Sequence, residues 1–147
     1  MYTKLRANFE AFLSRHSTCV LTTSGQNGAW ALPVSYRSQG LDIECLLPCW
    51  SDATFFLQQD TSVLLIIQSS PLCWLSVRGV ADFVPQPQWE GLLPEGIQVG
   101  MADMLFQVVR VIPQRMDLID QRRGWGIRET WESGASHSIS GFRQSLI

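Results

Sequence analysis

An Asn27-Gly28 pair stands between two runs rich in Val, Thr, Trp and Tyr, residues 18–25 and 29–37, and this arrangement constrains the fold more than any other part of the chain. Asn and Gly tolerate the positive φ angles of a tight strand-to-strand turn, and the flanking residue types suit a pleated, half-buried surface. The run therefore predicts a β-hairpin. With a helical lead-in before it and further short strands behind it, it points to a small barrel whose strands carry a ligand site.

Leu5, Phe9, Phe12 and Leu13 recur at helical spacing, with Lys4, Arg6, Asn8 and Glu10 on the other side, which predicts an amphipathic helix ahead of the hairpin. After it the pattern turns to strands at about 17–24, 29–37 and 41–47. Ser51 or Asp52 is placed to cap a two-turn helix through Gln58. Residues 62–68 are apolar without alternation, as in a strand covered on both faces, and 72–84 read as one long strand bent at Gly79. Between Gln88 and Asp103, frequent Gly and Pro allow a loop with at most one short helix. A strand at 105–112 is expected to stop at Pro113, with a second short one at 115–120. The fold class is thus mainly β (α+β), a small barrel with short flanking helices. Its size fits a single domain over 1–132, followed by a Ser- and Gly-containing tail, 133–147, expected to be mobile.

Composition narrows the function. A net charge of −2 leaves no basic footprint for nucleic acid. Charged residues are only 16% of the chain against 46% hydrophobic, and there are six Trp residues, so part of the surface is expected to be covered by a second copy in a homodimer. The first residues lack the apolar run of a signal peptide and no stretch reaches a membrane span, which gives the expectation of a cytoplasmic protein without a membrane partner. Cys19, Cys45, Cys49 and Cys73 form no Cys-x-x-Cys pair, and His16 and His137 are the only imidazoles, so no metal site is expected and the cysteines read as reduced core residues.

The order of these elements resembles the pyridoxamine 5'-phosphate oxidase-like, FMN-binding split β-barrel family. The carriers are the helix followed by Cys19-Val20-Leu21-Thr22-Thr23, the strand from Gly28 to Tyr36 with Pro33, the entry Gln59-Asp60-Thr61-Ser62-Val63-Leu64, then Val77-Arg78-Gly79-Val80-Ala81, and Val111 through Ile119. The resemblance covers about residues 9–131. It implies a homodimer with FMN in the groove between subunits, and redox chemistry on a small molecule that the fold does not specify. In the same family other members bind a deazaflavin or haem; a haem here would need His16 or His137 as axial ligand.

One departure bears on the cofactor. Where conforming members carry a Ser-Arg-Lys-like cluster, this chain has Ser51-Asp52-Ala53, and no Lys or Arg occurs between Arg37 and Arg78. A phosphate dianion wants such donors, and Asp52 repels it. The candidate cofactor-binding residues are therefore Arg37 and Arg78 for an anion, Ser51 as a hydroxyl donor beside Thr22 and Thr23, and Trp125 with Arg128 to close over an isoalloxazine ring. Each has a plainer reading: a salt bridge for the arginines, local backbone bonding for the hydroxyls, dimer packing for Trp125 and Arg128. No residue is assigned a catalytic role. The leading expectation is an FMN-binding oxidoreductase acting on an unidentified small molecule. The alternative is a split-barrel small-ligand or protein-binding module that has lost the flavin.

Overall fold

The computed structural model describes residues 2–25 and 28–134. Helix α1 (Tyr2–Ser14) leads into strands β1 (Thr18–Gly25), β2 (Gly28–Gln39) and β3 (Asp42–Pro48). Helix α2 (Asp52–Gln59) follows, then β4 (Ser62–Ser70), β5 (Cys73–Phe83), helix α3 (Val99–Leu105), the long β6 (Phe106–Asp120) and β7 (Arg128–Glu132). The strand order β3-β2-β1-β4-β5-β6 is closed by pairing of β6 back onto β3, and β7 extends the sheet from the far half of β6. The result is a mainly β, six-stranded split barrel with three short helices, as the sequence predicts.

Period-two alternation decides which side chains fill the barrel. Leu21, Ile43, Leu65, Leu75, Val77, Val111 and Met116 point inward and are buried, and Phe9, Phe12 and Leu13 of α1 join the same core. The Tyr36 hydroxyl donates to the Leu13 carbonyl at 2.7 Å, a much shorter bond than the 3.4 Å one that carbonyl accepts from the His16 N–H, and fixes the end of α1 to β2. The expected hairpin is present, with β1 and β2 in register from Thr18↔Ser35 to Gly25↔Gly28; its turn residues Gln26 and Asn27 lie outside the described residues.

Two expectations are corrected. Pro113 does not end a strand: β6 runs through it, because a bulge at Gln114 places Pro113 opposite Gly79 and Arg115 opposite Arg78, so the missing N–H falls where the ladder is already interrupted. The segment from Arg128 to Glu132, for which the sequence pattern predicts no strand, is the seventh strand. Gly79 sits at this irregularity, in agreement with the bend expected there. The poorly periodic stretch after β5 does contain one short helix, α3. It folds over the outside of β3 and β6, where Trp89, Leu92 and Ala102 bury Leu46 and Val108 in a second, smaller core. Of the expected tail, residues from 135 onward lie outside the described residues.

Candidate ligand groove

The outer wall of β1, β4, β5, β6 and β7 carries cross-strand rows that the register sets. One row reads Thr22, Leu64, Arg78, Arg115, Glu132; the next reads Val20, Ile66, Ser76, Asp117, Thr130. In the second, Asp117 is only 8% exposed and fully bonded: Arg115 donates to it through Nε at 2.9 Å and Nη2 at 3.3 Å, and the Thr130 hydroxyl donates at 2.6 Å. Arg115 also faces Glu132 at 3.7 Å. That arginine is thus held by two carboxylates.

Arg78 is placed differently. It lines an open groove of about 410 Å3 with Thr22, Ser62, Leu64, Gly79 and Gln114, and its exposed guanidinium has no hydrogen-bond or ion-pair partner among the described residues. The bulge shapes this groove, since Gln114 is extruded from the ladder between Pro113, which stands opposite Gly79, and Arg115, which stands opposite Arg78. The Thr22 hydroxyl donates to the Leu64 carbonyl at 3.0 Å, so its proton is used within the wall while its lone pairs stay available. An unpaired cation among amides and hydroxyls, beside an apolar Leu64 surface, is suited to a ligand with an anionic end and a flat apolar body.

Arg37, the other predicted anion contact, is engaged. Its Nε donates to Glu44 Oε1 at 2.8 Å and its Nη1 to the Glu90 carbonyl at 2.7 Å, while Arg110 donates to the second Glu44 oxygen at 3.1 Å. Burial pushes the Glu44 carboxyl up, but the hydrogen bonds and charge of Arg37 and Arg110 outweigh it and hold the group below the usual carboxylate range. These residues line a separate polar cleft of about 930 Å3 together with Gln39, Asp42 and Gln88. Its two arginines are balanced by Asp42 and Glu44, so the larger cleft offers an anion less than the smaller groove does.

The remaining candidates sit elsewhere. Ser51 occupies the N-cap position of α2 but makes no side-chain cap bond, and its buried Oγ has no partner among the described residues. Asp52 falls in the first turn, where a carboxylate suits the helix and opposes a phosphate. Thr23 is buried with its hydroxyl unpartnered. Trp125 is 82% exposed between Gly124 and Gly126, and Arg128 stands on β7 opposite Ile119. Neither the Arg37 cleft nor the Arg78 groove includes Ser51, Trp125 or Arg128. Sequence reasoning named Arg78 but missed Ser62, Leu64 and Gln114 as its neighbours; the proline before Gln114, inside an otherwise regular strand pattern, is the signal that would have located the bulge.

His16, just past the end of α1, packs tilted against Phe12 with ring centroids 4.7 Å apart, and His137 lies outside the described residues. All four cysteines are free thiols, three of them buried. Among the described residues no three His, Cys, Asp or Glu side chains cluster as metal ligands do, and no helix is long and apolar enough to cross a membrane.

The sequence matches no protein-family model and no curated protein closely enough to assign kinship. Solved structures do match. A Clostridium acetobutylicum protein related to general stress protein 26, of the pyridoxinephosphate oxidase family, superposes with a TM-score of 0.71 at 12% identity over 90% of this chain and 96% of that one. Campylobacter jejuni ChuZ gives 0.69 at 14% identity over 91% of this chain and 61% of its own, and a haem-binding protein of Mycobacterium smegmatis gives 0.58 at 20% over 86% and 57%. The last two are therefore much longer than this chain. The strand order, the closure of β6 on β3 and these superpositions together make the chain a split β-barrel of the pyridoxamine 5'-phosphate oxidase-like fold.

Proposed function

We propose that the protein is a cytoplasmic homodimer that binds a flavin of the FMN type on the outer barrel wall and serves as an oxidoreductase for a small molecule. The observation that carries this reading is Arg78, an exposed, unpaired cation in a groove otherwise lined by amide, hydroxyl and apolar groups. The residues fit one charged contact to a phosphate, not a basic cluster, because Arg37 is held by Glu44 and Asp52 supplies the wrong sign. Arg78 would hold the phosphate, Gln114 and Ser62 would donate beside it, and Leu64 would support the ring. Bound flavin would supply the electron transfer; the chain would supply orientation and charge. Since Arg37, Ser51, Trp125 and Arg128 do not share the groove within one chain, their part in a site requires a second copy to bring them across.

Fluorescence-quenching titration of FMN tests the reading. Arg78→Ala should weaken binding by about 1–2 kcal/mol, and Asp52→Lys should tighten it by a similar amount. If the parent protein and Asp52→Lys both leave FMN fluorescence unchanged, the flavin reading fails and the binding module without flavin becomes the better account, the reading that the lack of any Lys or Arg between Arg37 and Arg78 favours. A Soret band on adding haem in place of FMN would redirect the assignment to the haem-binding relatives' chemistry.

A further inference from the structure

Beyond the flavin groove, a second recess carries its own chemical signature. It lies where β5 runs out, is a half-open hollow of about 280 Å3, and shares no lining residue with the Arg78 groove. The chain past Phe83 stays on the ladder, with the Val84 N–H donating to the Val108 carbonyl at 2.9 Å, so the wall that follows is held in place. Pro85 and Pro87 stiffen that wall. Beneath it Trp89 and Val108 belong to the small outer core, and Phe83 and Phe106 add aromatic surface, Phe106 being packed in turn on Trp50 with centroids 6.3 Å apart.

Three polar side chains, Gln58, Asp103 and Gln107, interrupt this aromatic and proline lining, and the last two ask for a hydrogen-bond donor. Gln107 Oε1 is buried and accepts nothing from any described residue. A buried acceptor left so costs about 1–3 kcal/mol, which a donor in the recess would recover. Asp103 is the sole ionisable residue lining the recess, and no cation lies within ion-pair distance of it among the described residues. It sits near the end of α3, where a carboxylate adds to the negative end of the helix instead of offsetting it, so helix stability does not account for it. Aromatic faces, a carboxylate and an unpartnered amide carbonyl, with no Lys, Arg or His in the lining, complement one class of molecule.

We propose that this recess is a binding site for a small aromatic ammonium ion, with its ring against Phe83, Trp89 and Phe106 and its N–H groups shared between Asp103 and Gln107. The volume is just below the roughly 300 Å3 where drug-sized pockets begin, which suits a molecule of one ring and a short amine arm. Aromatic walls attract the cation as well as the ring. The proposal does not depend on flavin binding.

Isothermal titration of the full-length protein with 2-phenylethylammonium tests it, with phenylacetate as a probe of the same shape and opposite charge. The ammonium should bind saturably at one per chain and phenylacetate at least about tenfold more weakly. Asp103→Asn, at an exposed position, should weaken the ammonium about tenfold, and Gln107→Met, which removes the open carbonyl at similar volume, several-fold. Melting curves establish that both variants are folded. Failure of the ammonium to bind, equal binding of the two probes, or unchanged affinity in either folded variant would overturn the assignment; the Gln107→Met result in particular rejects the case in which water alone satisfies the carbonyl.

Discussion

Gly79 on β5 lies against the Ile112 carbonyl of β6 so closely that a Cβ at position 79 would overlap the oxygen, with the carbonyl carbon at 3.0 Å and Val111 Cγ1 at 3.1 Å. Neither neighbour is the free end of a flexible side chain. Gly79→Ala should therefore lower stability by about 2 kcal/mol and Gly79→Val by about 3 kcal/mol or more, since the two strands must part to admit them. Thermal melts of both proteins check this; an alanine variant that melts with the parent would mean the bulge yields freely.

Tyr36 gives a pH dependence at the alkaline end. Burial, with the Cys19 and Cys45 thiols beside it, pushes its hydroxyl well above the ordinary phenol value of about 10. The neutral phenol is the form the fold favours, so the associated stability is fully present below about pH 10 and is lost as pH rises from there toward the folded-state value. Tyr36→Phe should cost about 1 kcal/mol at neutral pH, through the Leu13 carbonyl it leaves, and should flatten the alkaline fall in denaturant midpoint. A variant that falls as steeply as the parent would place that sensitivity elsewhere.

Glu44 acts at the opposite end of the scale. Its carboxyl is held low by Arg37 and Arg110, so the stability it adds is present above the ordinary value of about 4.3 and drains as pH falls through the lower folded-state value. Glu44→Gln should cost about 1 kcal/mol at pH 7, because Arg37 is then left half-buried without its carboxylate, and the difference from the parent should shrink in acid and in high salt. Urea titrations at pH 7 and pH 3 measure it directly.

The dimer is testable by mass. Sedimentation equilibrium at micromolar concentration should return twice the 16.6 kDa chain mass. On β4, Leu64 and Ile66 project from the outer wall while Val63, Leu65 and Ile67 fill the barrel. Ile66→Asp should consequently produce a folded monomer; a dimer that survives it would use some other face.

Much of the barrel was legible in the sequence because its determinants are local. Phe9, Phe12 and Leu13 reveal α1 by spacing alone, and the β1–β2 hairpin follows from turn chemistry and residue type. The apolar run of β4 predicts cover on both faces, whereas its second face forms the half-exposed outer wall, so the run reports a demand for cover that one copy only partly meets. What stayed hidden depends on register. Nothing near Arg37 in sequence says that Glu44 and Arg110 will stand opposite it, because that pairing is fixed by β2 on β3 and by β3 on β6. The outer core around Trp89 escaped notice because irregular backbone buries it without periodicity. Pro113 misled because a proline forbids a ladder bond, not a strand, and the bulge removes the conflict.

The closure of β3 on β6 has a kinetic consequence. It joins the two most widely separated segments of any ladder in the chain, so its loop entropy must be met before its hydrogen bonds form, and every other ladder of the barrel can assemble first. Until it does, the sheet is open and two bare edges face outward, each able to accept the matching edge of a neighbour. Intramolecular closure does not depend on concentration, whereas exchange between chains rises with it. The refolding yield of barrels closed within one chain should accordingly fall as protein concentration increases, with strand-exchanged oligomers taking their place.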